Sequence, residues 1–361
     1  MALYWKFNPL GLDGALYPIP GVRGVFVSSG NVVVSSAMTL SGGTVGDQAG
    51  TIGKTVEAYS RGVAVGQTIG RGGIMRAYPG GLLADISITS GGFATVLSGG
   101  SATNVSLSMN TDAILYVSGA VTGIEMSRGK IEVRSNGIVN SARCSGGYTN
   151  ISGGGAVNDS FFIGGATVSA YTDGVVNRCT IHSARIDGGT ICNCTFSGAI
   201  TLSRGFASDT VCHPPAHFRI GGGIASNTTM QGSSDNANCS MSVSSGGVAI
   251  GGNQTDAFVT VYRGGILSGF SGGPRISSGA SGNDITVTSR ATARVFAGGL
   301  MTTGTVLSGG NLQVSAGVVS NVTVLSGGSM TVYSGGSSID TTVADGANID
   351  VKPGGVITYK Q

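Results

Sequence analysis

The sequence predicts an all-β protein, a parallel β-solenoid with coils of roughly 19 residues. The main observation is a phrase made of an apolar residue, one or two small polar residues and a Gly-Gly pair. It recurs at intervals of 18 or 19 residues, as at Ile69 and Ile88 or at Val306 and Val324. A second phrase follows most of these about eight residues later, as at Val332. A unit this short cannot bury its own apolar face, so successive units must stack on each other.

Each unit reads as two short strands and two turns. The strands have β-branched residues at their centres, and Gly, Ser, Asn and Asp close them. We expect the apolar residues of successive phrases to form one internal ladder, in a coil that is right-handed because parallel crossovers favour that hand. The proposed ladder runs through Ile69, Ile88, Leu107, Glu125 with its flanking Ile124 and Met126, Cys144, Phe162, Ile181, Ile200, Val243, Val261, Val306, Val324 and Val343.

The places where the phrase fails define the expected domain organisation. Residues 1–26 lack it and are predicted to form an N-terminal cap or an attachment segment, in which Tyr4, Trp5 and Phe7 are the candidate docking residues. The chain is then divided into a solenoid over 27–202, an irregular insertion or expanded coils over 203–240, and a continuing solenoid over 241–361 with a looped-out stretch near 269–293.

Charge is sparse and dispersed, with 20 Lys and Arg against 17 Asp and Glu and a net charge of +3. A nucleic-acid groove would show clustered basic residues, so we expect no nucleic-acid partner. No apolar run approaches the length of a membrane span, so we expect no membrane insertion. A surface rich in Ser, Thr, Asn and Gly suits sugar contacts, glycan attachment or lateral packing, and equally suits ordinary solvation.

No residue is assigned a catalytic, cofactor-binding or metal-binding role. Gly53-Lys54-Thr55 resembles the end of a phosphate-binding loop, but the first glycine of that motif is replaced by Gln48. Polysaccharide cleavage would need two carboxylates about 5–10 Å apart. The pairs Asp173 and Asp187, Asp187 and Asp209, and Asp235 and Asp256 do not recur at one coil length, and we interpret them as solvated loop residues.

Cysteine and histidine cluster in the middle of the chain, at Cys179, His182, Cys192, Cys194, Cys212, His213 and His217. Cys192 and Cys194 would share one strand face, and Cys192 and Cys212 are close to one coil apart. Stacked free thiols, disulfides and a metal site all remain open, because the spacing fits no known zinc motif.

The alternation of Val-x-Ser-Gly-Gly and Val-x-x-Gly-Gly, clearest from Val306 to Gly355, resembles the AIDA-type repeat of bacterial autotransporter adhesins. The resemblance covers roughly 250 residues and implies a β-solenoid passenger displayed at a cell surface. Some members of that family carry sugars on repeat serines, added by heptosyltransferases. By this resemblance the candidate glycosylation sites are Ser90, Ser98, Ser308, Ser326 and Ser334.

The family also has a signal peptide and a C-terminal membrane barrel, and we expect neither in this sequence. Similar repeats occur in phage tail fibres and spikes, which need no leader. We therefore predict a non-enzymatic, elongated structural or adhesive protein outside the cell, with a virion tail fibre, spike or decoration component preferred. The alternatives are an AIDA-type cell-surface adhesin, a tail-spike polysaccharide depolymerase, and a self-assembling filament or shell protein. The expected partners are a surface glycan or protein receptor, copies of this chain, or other fibre and virion proteins.

Overall fold

The computed structural model describes residues 17–18, 25–28, 30–35, 38–47, 51–108, 112–233 and 239–361. These residues form strands, turns and bends, with no helix among them and therefore none that could cross a membrane. The chain divides into two compact units, residues 1–181 and 182–361.

The strands up to the boundary between the units are β1 Tyr17–Pro18, β2 Val25–Ser28, β3 Asn31–Val34, β4 Thr39–Val45, β5 Thr55–Ala58, β6 Val63–Ile69, β7 Ile74–Ala77, β8 Leu82–Ile88, β9 Phe93–Val96, β10 Ser101–Leu107, β11 Ile114–Val117, β12 Ala120–Met126, β13 Lys130–Val133, β14 Ile138–Cys144, β15 Tyr148–Ile151, β16 Ala156–Asn158, β17 Phe161–Tyr171, β18 Val175–Asn177 and β19 Thr180–Cys192. The strands that follow are β20 Thr195–Phe196, β21 Ala199–Ser208, β22 Val211–Cys212, β23 His217–Ile220, β24 Ile224–Ser226, β25 Thr229–Gln231, β26 Ser240–Val243, β27 Val248–Ile250, β28 Asn253–Thr255, β29 Phe258–Val261, β30 Ile266–Ser268, β31 Arg275–Ile276, β32 Ser281–Val287, β33 Thr292–Val295, β34 Leu300–Val306, β35 Asn311–Val314, β36 Val318–Val324, β37 Ser329–Val332, β38 Ser337–Val343, β39 Asn348–Val351 and β40 Val356–Tyr359.

Strands pair in parallel with the equivalent strand of the next coil, which confirms the predicted parallel β-solenoid. In the first unit Ile69 of β6 pairs with Ile88 of β8, and in the second Val306 of β34 pairs with Val324 of β36. Among the described strands, β1–β2 and β2–β3 are antiparallel, so β2 covers the outer edge of β3. The handedness of the coil stays a prediction.

A regular coil has three sides rather than the two predicted from the sequence. It consists of a four-residue strand such as β35 and a seven-residue strand such as β36, which is bent at its middle residue. Along β36 single buried residues alternate with exposed or partly exposed ones, and this alternation is broken at Asn321, which is exposed and has a φ of 51°. We call this residue the bend, the turn after a seven-residue strand the first corner, and the turn after a four-residue strand the second corner.

The bend recurs in coil after coil and is always a residue with positive φ. In the first unit the bends are Gly42, Gly66, Asp85, Asn104, Gly123, Ser141, Asp159 and Arg178. In the second unit they are Asn193, Asp209, Asn227, Gly251, Gly269, Asp284, Thr303, Asn321 and Asp340. Gly, Asn and Asp dominate because they tolerate the left-handed region best.

Neighbouring bend side chains bind each other along the surface. Asn104 Nδ2 donates to Asp85 Oδ1 at 2.8 Å, and Asn227 Nδ2 donates to Asp209 Oδ1 at 3.1 Å. Arg178 donates to both carboxylate oxygens of Asp159 at 2.7 Å. The bends therefore form a polar column on the outside of each unit.

The core consists of inward residues stacked in several columns, so the single predicted ladder is wrong. Val261 closes a four-residue strand and continues into Ile276 and Val295. Val306 closes a seven-residue strand and pairs with Val324 in a different column. Apart from Val343, which is half-buried, and Glu125, which is exposed between buried Ile124 and Met126, the proposed ladder residues are nevertheless buried. The sequence pattern identified the inside of the coil but could not distinguish its sides.

The irregular stretches continue the stacking with coils of different length. Within 203–240, His217 of β23 pairs with Ser240 of β26, 23 positions later, so this coil is longer than its neighbours. Near 269–293 the expected looped-out stretch is not found, because β31 and the whole of β32 lie there and pair in parallel with their neighbours. Ser268 instead pairs with Asn283, 15 positions later, and the coil is short because few residues join the bend at Gly269 to β31.

Candidate functional site

The predicted glycosylation serines lie at the corners of the coils. Ser308 and Ser326 occupy first corners of consecutive coils, since β34 and β36, which precede them, are paired. Ser90 also lies at a first corner, whereas Ser98 and Ser334 lie at second corners. Ser90 is half-buried and the other four are exposed. The structure therefore brings Ser308 and Ser326 together and separates them from Ser334.

A shared turn geometry explains why serine precedes the glycine pair. In the first corner Leu307–Gly310, the Gly310 N–H donates to the Leu307 carbonyl at 2.9 Å, and Gly309 has a φ of 72°. This is the form of a type II turn, which needs positive φ at its third residue and therefore favours glycine there. Ser308 occupies the second position, where the side chain extends outward from the corner.

The serine of one corner packs over the glycine of the next. A Cβ on Gly327 would lie 2.5 Å from Ser308 Oγ, and one on Gly346 would lie 2.8 Å from Ser326 Oγ. The corner backbone is also paired between coils, because Gly309 N–H donates to the Gly327 carbonyl and Gly327 N–H to the Gly346 carbonyl, both at 2.9 Å. The Ser-Gly-Gly sequence therefore allows the corners to stack, because the serine hydroxyl of one coil occupies the space next to the glycine of the following coil, where a side chain would otherwise lie.

A shallow groove of about 420 Å³ lies on the first unit at the bend. Gly123 is the bend there, and the lack of a side chain between Asn104 and Ser141 opens the groove. Glu125 and Arg143, which are paired in register on β12 and β14, line its wall. Glu125 is the one carboxylate among the lining residues, so this groove lacks the carboxylate pair that glycoside hydrolysis needs.

Of the carboxylates considered in the sequence, Asp173, Asp187, Asp209 and Asp256 lie among the described residues. Asp209 is a bend residue and Asp173 lies at a second corner. Arg204 donates to Asp187 at 2.8 Å and, with Arg185, holds the pKa of the Asp187 carboxyl below its usual value. An ionised Asp187 cannot serve as a general acid. Asp235 lies outside the described residues.

Glu132 on β13 is the most enclosed carboxylate of the described surface, with 7% of its side chain exposed. Lys130 and Arg134 form ion pairs with it, and Asn150 Nδ2 donates to it at 2.9 Å. Burial alone would raise the pKa of Glu132, but these three donors outweigh it and hold the pKa below its usual value. Arg134 also lies over the Tyr116 ring, 5.7 Å from its centroid, so this cluster ties adjacent coils together.

Five of the six cysteines are buried, and Cys192 is half-buried. The expected stacking of Cys192 on Cys212 is wrong, because Cys192 pairs with Ser208 while Cys212 pairs with Phe196. Cys192 and Cys194 do not share a strand face either, since the bend Asn193 lies between them. Burial raises the pKa of the Cys144 thiol to about 12 and that of Cys239 to about 11. Across the described ranges, no group of three or more His, Cys, Asp or Glu is placed to hold a metal ion.

The candidate attachment residues Tyr4, Trp5 and Phe7 lie outside the described residues. Sequence reasoning missed the bend column. The signal for this column was a Gly, Asn or Asp recurring four residues after the end of the second corner, as at Asp85, Asn104 and Asn321. That signal is weak because glycine, asparagine and aspartate are also frequent at the other two corners.

Three-sided coils, parallel pairing and stacked corners define a repeat protein of the β-solenoid class. No family model matches the chain, and no curated protein matches it either. Among solved structures, it is similar to a hyper-glycosylated fragment of TibA whose glycosylation is catalysed by TibC. The identity is 23%, the match covers 89% of this chain and 100% of that one, and the TM-score is 0.48.

Two further similar structures are A-modules of mannuronan C-5 epimerases from Azotobacter vinelandii. AlgE6 is 12% identical with a TM-score of 0.19, and AlgE4 is 11% identical with a TM-score of 0.17. Each match covers 83% of this chain and 91% of the other.

Proposed function

We propose that this chain is a non-enzymatic adhesive β-solenoid displayed on the outside of a bacterial cell. The observation that carries the proposal is the regular outward presentation of corner serines, Ser308 and Ser326 above all, on a stack whose inward residues serve only as core. The resemblance of this Ser-Gly-Gly phrase to AIDA-type repeats favours the cell-surface adhesin over the virion component. The preference for a virion component depends on whether a signal peptide and a membrane barrel are present, and the stacked coils give no information on either.

Adhesion is tested with beads coated with the purified chain and incubated with intact bacterial and host cells. We expect more beads to be retained than with an albumin coating. Retention equal to albumin on every cell type would contradict the proposal. Release of short oligosaccharides from capsule or O-antigen would instead support the depolymerase, and concentration-dependent growth in mass photometry would support the filament.

We further propose that the exposed corner serines Ser98, Ser308, Ser326 and Ser334 are sites of sugar attachment, and that half-buried Ser90 is a poorer one. Each exposed hydroxyl lies at a turn position that an enzyme can approach from solvent. Co-expression with a heptosyltransferase should add sugar masses to the intact protein, and the variant S308A/S326A/S334A should lose up to three of them. An unmodified wild-type chain, or modification confined to Ser90, would contradict this assignment.

A further inference from the structure

Four arginines lie on one outer side of the second unit, or in the corners at its two ends, around the short coil. Arg275 of β31 and Arg294 of β33 are directly paired on neighbouring strands. Arg263 lies in the second corner after β29, and Arg290 lies in the first corner before β33. We call these four residues the arginine face. All are exposed except Arg294, which is half-buried.

The arginine face lacks partners of opposite charge. None of its four members belongs to an ion pair among the described residues, whereas Arg185 and Arg204 of the same unit both pair with Asp187. Like charges directly opposite on neighbouring strands destabilise a sheet, so the Arg275–Arg294 pair costs stability as it stands. An anionic ligand would convert this cost into binding energy.

Contacts within the protein hold two of the guanidinium groups in place. Arg275 lies over the Phe258 ring, with its guanidinium carbon 5.4 Å from the ring centroid. Arg294 Nε donates to Gln313 Oε1 at 3.0 Å, which leaves the two terminal amino groups of Arg294 for a ligand. A guanidinium whose position is already fixed loses less entropy when it binds a carboxylate, and its planar fork suits two parallel hydrogen bonds.

Exposed aromatic rings border the arginine face. Tyr262 is 48% exposed and Phe296 is 39% exposed, and both begin second corners of coils that carry the arginines. Phe258, beneath Arg275, is 46% exposed. Flat apolar rings beside fixed cations match a sugar polymer, whose pyranose rings have apolar C–H faces and whose acidic members carry carboxylates.

We propose that the arginine face binds an acidic polysaccharide through the carboxylates of its sugar units. This inference rests on the proposed function of a surface adhesin and names the chemistry of its receptor. A polysaccharide fits better than a nucleic acid, because four arginines in a chain of net charge +3 form a short patch rather than a charged groove.

The test measures binding of the purified full chain to immobilised polygalacturonate, to its methyl ester and to single-stranded DNA. We expect the wild type to bind polygalacturonate, with affinity falling as salt rises, and to bind the uncharged ester at least tenfold more weakly. R275Q/R294Q should weaken binding by about 100-fold, roughly tenfold for each charged hydrogen-bonding group. R71Q/R128Q, which removes the same charge from exposed positions of the first unit, should leave affinity within about twofold.

Several outcomes would overturn the proposal: no binding of polygalacturonate, equal binding of the ester, tighter binding of DNA, or an unchanged affinity in R275Q/R294Q. If that variant melts earlier than the wild type, R263Q/R290Q, whose changes lie in corners, replaces it and should weaken binding in the same direction. If coated beads adhere to cells but the soluble chain does not bind polygalacturonate, only the proposal for the arginine face is contradicted. If the chain binds polygalacturonate but coated beads do not adhere to cells, the proposed adhesin function is contradicted and the proposal for the arginine face is supported.

Discussion

The coils from β34 to β38 and the short coil between β29 and β31 solve the same packing problem with different lengths of chain. In the regular coils Val306 pairs with Val324, and Val324 with Val343. In the short coil Val261 pairs with Ile276, and both are fully buried. The inward residues keep their alignment in both regions, while the chain between them differs in length. Alignment of the core is therefore what the fold preserves, and the corners absorb the differences.

Deletions give the strongest test of this difference. Removing residues 261–275 joins Thr260 to Ile276, and Ile276 then takes the place of its paired equivalent Val261, so the shortened chain should fold. Removing 18 residues, 261–278, shifts the alignment by three positions and should abolish cooperative unfolding of the second unit. Thermal unfolding followed by circular dichroism measures both. A cooperative transition in the longer deletion would show that folding does not require the inward residues of neighbouring coils to stay aligned.

A charge in the core should be the next most damaging change. Val324 is fully buried, so V324D should destabilise the protein by about 4 kcal/mol or more, because the carboxylate is desolvated without a partner. The adjacent Leu325 is 38% exposed, and L325D should cost less than about 0.5 kcal/mol. I276D should match V324D if the short coil is packed as well as the regular ones. Urea unfolding gives the three values, and a mild I276D would indicate a looser core there.

Loss of the Glu132 carboxylate should have an intermediate effect that depends on pH. The lowered pKa of Glu132 means that its stabilising contribution is present above the pKa of an unfolded glutamate, about 4.3, and is lost as pH falls below it. E132Q should be about 1–3 kcal/mol less stable at pH 7 and show a flatter loss of stability towards pH 3. E125Q, which changes an exposed carboxylate of the same unit, serves as control. Parallel acid-unfolding curves for wild type and E132Q would contradict this account.

The smallest effect should come from a first corner. G327A places a side chain at a φ of 72° and against Ser308 Oγ, which should cost about 1–2 kcal/mol. Adding S308G removes the steric part but not the backbone strain, so the double variant should recover a fraction of the loss. Melting temperatures of the two variants separate these contributions. Full recovery in the double variant would mean that strain is negligible.

The sequence predicts the class of the fold and the inside of the coil well, because buried β-branched residues and glycine corners repeat at nearly one period. It does not predict the three-sided section. Asp85 and Asn321 are single residues within continuous strands, and nothing local separates a bend from a loop aspartate or asparagine. Nor does it predict the arginine face, because Arg275 and Arg294 become neighbours only through pairing across the short coil. The serine positions follow from the resemblance, whereas their grouping at two different corners depends on stacking.

Corner-to-corner pairing, as between Gly309 and Gly327, affects how readily a protease can cleave the chain. Turns are the usual cleavage sites in folded proteins because they can be drawn into a protease without disturbing their neighbours. Here the corner of one coil is hydrogen-bonded to the corner of the next. A protease can therefore bind one corner only if several coils open together. Cleavage then depends on cooperative opening rather than on the exposure of a turn, and an accessible corner remains a poor protease substrate.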